Sequence, residues 1–409
     1  MSTSWSEIPT DLLYLILSKL PIHDLFRSAA VCTHWSAVVD KVRRSPGDQR
    51  PQIPWLVPEE QFLINGKSNN RNNYNFFSLA EGRVYDIPSP SRILKNVVGS
   101  SHGWLITVGK ASVQLLNPIT RVHINLPKFP TVDGRNLEAV KAVLSSDPSS
   151  GGDYFVAFVF DCPSTEEDFL FLLNAEDKKW KMITIGDYDY DDDYDYDYEY
   201  DDIAFHEGKL YAVLVSVELG EVIVAAYDLI MPDSTPTWTP VVALPDIDVT
   251  FYFLCTSSED LLLTRAVTNG PVENYINKLE VWKVDTEKCV VNTMNNLGEY
   301  TLFLSAASSL CIDTSSLPDL KSNSIYISID LYDIGISDNL VYSMEDETFT
   351  SLSLPPLSSR KRRRFCKYLG GRWKDIPRYY FLPRTEKRVR PILLWFTPSI
   401  ALHADPMET

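Results

Sequence analysis

Apolar residues in the first forty positions recur with the period of a helix. Leu12, Leu13, Ile16, Leu17 and Leu20 follow one another at spacings of three and four before Pro21. This predicts a first helix that Thr10 can cap and Pro21 ends. Asp24 is placed to cap a second helix carrying Leu25, Phe26, Ala29 and Ala30. A third begins near Cys32 and presents Trp35, Val38 and Val39 on one side. Some forty residues cannot bury this much apolar surface alone, so part of it is expected to meet a partner.

After residue 75 the helical period gives way to a repeated strand, turn, strand. It reads FFSLAEGRVYDIP from Phe76, LLNPITRVHINLP from Leu115, FLLNAEDKKWKMI from Phe171, VWKVDTEKCVV from Val281 and VYSMEDETFTSLSLP from Val341. AAYDLIMPDSTPTWTPV from Ala225 is a looser copy. Their turns are mostly separated by roughly 50 to 60 residues, a spacing that marks propeller blades. Second hairpins, VVGSSHGWLITV, DIAFHEGKLYAVLV and YFLCTSSEDLLLTR, lie between copies and supply the other two strands each blade needs. The fold class expected is a small all-α domain of three helices (1–44) followed by an all-β propeller (76–405), with six blades favoured and seven as the alternative. A two-sheet sandwich would not repeat one hairpin this often. Residues 45–75, rich in Pro, Asn and Arg, read as a linker, in which Trp55 and Leu56 could still pack onto the propeller strands. An open ring would expose sheet edges, so residues 392–396, or the strand around Ile400, are expected to close it beside Phe76 and Phe77.

Composition changes this picture little. Hydrophobic residues make 44% and charged residues 23% of 409, an ordinary globular balance. The net charge of −17 is largely local, because ten acids and no base lie between Asp187 and Asp202. The acidic remainder argues against general nucleic-acid or membrane-surface binding. The six cysteines form no CxxC pair, the N-terminus is polar, and no Asn-x-Ser/Thr sequon occurs. The apolar region 210–230 is interrupted by Glu218 and Glu221. The expectation is a soluble protein of the nucleus and/or cytoplasm.

Candidate chemistry is sparse. Gly99, Ser101 and Gly103 fit G-x-S-x-G, but that motif needs a strand-to-helix turn and here a second strand comes next. The six histidines show no HxxxH or HExxH spacing, so no metal and no cofactor is expected. In the Asp/Tyr run 187–202, Asp187, Asp189 and Asp191 match the first ligand positions of an EF-hand loop. Asp192 stands where its glycine belongs and Tyr198 where its last acid belongs. Like charges this dense favour a solvated, disordered insertion between blades. The basic loop 359–365, with Arg360, Lys361, Arg362, Arg363 and Arg364, reads either as a nuclear import signal or as a basic surface loop.

The first forty residues resemble an F-box, the motif that docks on the Skp-type adaptor of Skp-cullin-F-box ubiquitin ligases. The resemblance is carried by Ile8-Pro9, Leu12, Leu13 and Ile16, Leu20-Pro21, and Val31-Cys32 followed by Trp35. HGWLITV, LLNPITRVHINLP, KAVLSSDPSS, FHEGKLYAV and WFTPSI arrive in the order found in the β-propeller of a large set of plant F-box proteins, a domain long labelled of unknown function 295. The resemblance implies adaptor contacts at Ile8, Pro9, Leu12, Leu13, Ile16, Leu20, Val31, Cys32 and Trp35, with cullin reached through the adaptor. It implies a protein target held by propeller loops, and a non-catalytic substrate-recognition subunit. The alternative is a propeller binding module or small-molecule sensor whose F-box serves its own turnover.

Overall fold

A computed structural model describes residues 5–43, 52–57, 73–88, 96–109, 112–129, 132, 137–162, 167–183, 198–216, 219–229, 238–245, 250–268, 276–331, 336–352 and 394–398. The basic run 360–364 and the acidic positions 187–197 lie outside these residues.

Three helices, α1 (Thr10–Leu17), α2 (Ile22–Ser28) and α3 (Thr33–Arg43), follow a single 3-10 turn at Trp5–Glu7. The expected caps are not used. Pro9 and Pro21 occupy the two N-cap positions, and neither helix start has a side-chain cap. Proline suits the spot because the position needs extended φ/ψ and its missing N–H would have no helical partner. Thr10 instead meets His34 (Oγ1 to Nε2, 3.2 Å), and Asp24 meets Arg83 of the propeller.

The strands form six sheets around a ring. Blade one joins Leu394–Phe396, Trp55–Val57, Asn73–Ser78 and Arg83–Pro88 in that order. Blades two to five are four-stranded meanders over 96–126, 138–183, 199–245 and 250–294. Each hairpin expected from the repeat is present. Blade six departs from the four-strand expectation. Tyr300–Ser305 pairs in parallel with Ser324–Leu331, and a fifth strand, Ser309–Asp313, turns back along its inner edge.

Central strands are apolar on both faces because each blade is covered by a neighbour on either side. Lys209–Ser216 is buried at every position after its first residue. Outer strands alternate, as in His123–Leu126. Six apolar clusters fill the interfaces between successive blades, and the sixth, with Leu56, Phe77, Phe303, Leu320 and Trp395, joins blade six to blade one.

Closure uses the expected C-terminal segment, at a different place in the sheet. Leu394–Phe396 pairs with Trp55–Val57, and that strand, from the stretch read as linker, pairs in turn with Phe77 and Ser78. Phe396 still reaches Phe76, with ring centroids 5.3 Å apart. Trp395 is fully buried, and its indole donates to the carbonyl of Leu304 in blade six (3.1 Å). Deleting residues 390–409 is therefore expected to lower the melting temperature of the whole propeller, read by circular dichroism. An unchanged melt would show that the ring does not depend on this strand.

Candidate functional site

The F-box residues divide into three environments. Leu13, Leu17, Leu25, Val38, Val39 and Val42 form the core of the three helices, with Ile8, Tyr14, Leu20, Ala29 and Trp35 packed against it. Ile22 and Phe26 of α2 point the other way and join the apolar cluster of blades one and two. A third group stays open: Leu12 is 55%, Leu15 56%, Ile16 46% and Val31 57% exposed, and Pro9 is exposed beside them in sequence. Leu12, Leu15 and Ile16 stand three and four residues apart and so line one face of α1.

This sorts the nine residues expected at the adaptor surface. Pro9, Leu12, Ile16 and Val31 are exposed, Ile8, Leu20, Cys32 and Trp35 are half-buried, and Leu13 is fully buried. Leu13 is corrected to a core residue, because its neighbours on α3 leave it no surface to offer. Phe26 of the second helix serves the propeller contact rather than the core of the three helices. Leu15 and Trp5, 72% exposed, were absent from the expected set. For Leu15 the signal was the width of the α1 stripe: apolar residues at 12, 13, 15, 16, 17 and 20 encircle more than one face, so the helix had to serve two surfaces.

The 3-10 turn is held onto α3. The Trp35 indole donates to the Trp5 carbonyl (3.2 Å), and His34 Nδ1 lies 3.3 Å from the Ser6 carbonyl. Trp5 is thereby presented at the start of the domain with its side chain in solvent.

A second cluster lies where the inner strands of the ring meet. Blades two, three and four each carry a bulge in the inner strand, and the residues just after those bulges are Gly99, Lys141 and Asp202. A bulge re-aims the following side chain. Lys141 and Asp202, 4% and 1% exposed, form an ion pair between blades three and four. Asp202 also accepts from the amides of Ile203 (2.6 Å) and Leu254 (2.8 Å) and from Ser309 Oγ (3.3 Å), reaching blades five and six. Burial pushes its carboxyl above the usual carboxylate range, while Lys141 and these amides pull it back.

The end of the acidic run is part of blade four. The run's last four residues belong to the strand Glu199–His206, where Asp201 accepts from the Tyr252 amide (2.8 Å), and Tyr198, just before the strand, donates to Glu221 (2.7 Å). At the serine motif, Ser101 ends one strand and donates to the Leu144 carbonyl (3.3 Å). His102 and Gly103 then turn with φ of 51° and 78° into the strand Trp104–Gly109. A two-residue hairpin turn stands where a nucleophile elbow would need a helix. Among the described residues no group of three or more His, Cys, Asp or Glu could hold a metal ion, and no helix is long and apolar enough to cross a membrane.

Comparison with known proteins agrees with this division. The F-box protein KIB3 of Arabidopsis thaliana is 30% identical over 165 residues, covering 36% of this chain and 34% of the relative. The F-box protein At1g49360 of the same plant is 30% identical over 128 residues, covering 30% of this chain and 24% of the relative. The chain thus spans less than half the length of these curated relatives. Among solved structures, the Dos1 propeller aligns with a TM-score of 0.35 at 12% identity, over 70% of this chain and 66% of that one. Residues 5–45 match the F-box domain and residues 76–369 match the KIB1-4 beta-propeller, and the chain belongs to that propeller family with an F-box at its N-terminus.

Proposed function

We propose that this chain is the substrate-recognition subunit of a Skp-cullin-F-box ubiquitin ligase. The observation that carries the reading is the open apolar face of α1. Most large apolar side chains of the F-box have found cover, inside the three helices or on blade one, whereas Trp5, Leu12, Leu15, Ile16 and Val31 have not. Apolar side chains left together in water mark a surface built to be covered by another protein. An adaptor in that position leads to a cullin, and the propeller holds a protein target by its loops.

The chain makes no bond itself in this reading. It raises the local concentration of a target beside a charged ubiquitin-conjugating enzyme and turns an encounter into an effectively intramolecular one. The basic run 360–364 is proposed to direct part of the protein to the nucleus. Fusion of residues 355–370 to a cytosolic reporter tests this, and a reporter that stays outside the nucleus removes the signal.

Adaptor capture tests the main reading. Wild-type chain is expected to retain a recombinant Skp-type adaptor. Leu12→Asp with Ile16→Asp should weaken that binding by ~100-fold or more, since two central apolar anchors are each worth roughly 2 kcal/mol or more. The far-ultraviolet spectrum and melt should not change, because both residues are exposed. Equal retention of the adaptor by both proteins would remove the reading.

A further inference from the structure

We infer that the F-box and the propeller are a single rigid body, joined by α2 seated on blade one. The helix is only seven residues long and faces two ways. Leu25 enters the F-box core, whereas Ile22, one turn earlier, is 5% exposed among Trp55, Tyr85, Phe396 and their neighbours. Phe26, four residues after Ile22 and so on the same face, packs on that cluster. The Arg43 guanidinium lies over its ring, 4.9 Å from the centroid, and Asp40 holds Arg43 at 3.0 Å. A residue that belonged to a freely tethered domain would have buried itself within that domain or stayed in water.

A polar rim surrounds the apolar seat. Asp24 of α2 meets Arg83 at 3.3 Å, and Arg83 is held from behind by Glu81 at 2.6 Å and by Tyr85. Burial lifts the Tyr85 phenol to about 12, so it keeps its proton and donates to Glu81 at 2.6 Å. Tyr85 also stacks on Trp55, centroids 4.9 Å apart at 17°, which connects the rim to the strand that closes the ring. With Arg83 about half exposed, the rim chiefly orients the contact and the apolar seat holds it.

The connection between the two parts is short. Arg43 ends α3, and Ile53, only 9% exposed, is already locked among Leu56, Phe77 and Trp395. The contact leaves α1 free, so seating α2 on the propeller and exposing Leu12, Leu15 and Ile16 are compatible. For ubiquitin transfer, a point that rests on the ligase reading above, a seated F-box fixes where the propeller presents its target. A swinging tether would present it over a wide volume instead.

The joint can be tested on the full chain without adaptor, so its outcome is independent of the ligase reading. Fluorescent labels on non-natural amino acids replacing Lys19 and Asp177, both exposed, report the F-box-to-propeller distance by single-molecule energy transfer. Wild type is expected to give one narrow distribution. Insertion of about twenty Gly/Ser residues between positions 47 and 48 should leave it narrow, because the seat rather than the short connection sets the geometry. The same insertion combined with Ile22→Ala and Phe26→Ala should broaden it at least two-fold while the propeller melt stays in place. A broad wild-type distribution would overturn the inference, as would broadening by the insertion alone. So would a narrow distribution in the combined variant. The insertion arm decides even if the double alanine variant does not fold.

Discussion

Gly99→Ala is expected to destabilise the propeller by about 3 kcal/mol or more, the upper end of what overpacking a close contact costs. Gly99 follows the bulge in the inner strand of blade two, and a β-carbon built there would lie 2.0 Å from the carbonyl oxygen of Ala142 in blade three. It would also lie 2.9 Å from that carbonyl carbon and 3.2 Å from Ile106 Cδ1. The oxygen is backbone, in a strand paired along its length with Phe155–Cys162, so it cannot step aside without moving blade three. In a closed ring such a shift passes to the next interface. Gly208→Ala provides the contrast. Its φ of 76° strains any side chain, but nothing lies within 4 Å, so only the local backbone cost of about 1 to 2 kcal/mol applies. Urea midpoints of the two variants should differ clearly. Equal losses would mean that the contact between the two inner strands does not hold the blades together.

The propeller was legible because its signals are local and repeated. Hairpins such as FFSLAEGRVYDIP and FLLNAEDKKWKMI carry turn residues between apolar runs, and the copies reinforce one another. What escaped was decided by distant contacts. Trp55–Val57 is three residues in a Pro-rich stretch, and it becomes a strand only because Leu394–Phe396 and Asn73–Ser78 flank it. The inner strand Ser309–Asp313 of blade six has no counterpart in the repeat.

At the F-box, residue types were readable and their allocation was not. Leu12 and Leu13 are chemically alike and adjacent, and only the path of α3 puts one in water and the other in the core. Asp24 shows the same limit. At the start of a helix an acid suggests a cap, and nothing nearby in sequence announces Arg83, 59 positions away. Likewise Asp202 ends a run of acids that reads as solvated. Its partner Lys141 comes from another blade, and that partner turns a surface charge into a buried one.

That pair gives the second large effect. Asp202→Ala is expected to cost about 3 to 5 kcal/mol, because it leaves the Lys141 ammonium buried without its counter-ion. Lys141→Met should behave differently with pH. Burial already holds the Asp202 carboxyl above its usual range, and removing the cation that pulls it back raises it further. A carboxyl whose folded value exceeds its unfolded value, about 3.9, favours the folded state only while protonated. Its contribution is complete below that unfolded value and is lost as pH rises through the folded one. The stability deficit of Lys141→Met relative to wild type should therefore widen from pH 5 to pH 8, by about 1.4 kcal/mol for each unit of pKa gained within that window. The double variant Lys141→Met with Asp202→Leu removes both charges and keeps apolar volume, so it should recover most of the loss and show no widening. Urea unfolding at the two pH values measures all three. If the double variant loses as much as the Lys141→Met and Asp202→Leu single variants together, Lys141 and Asp202 do not act as a pair.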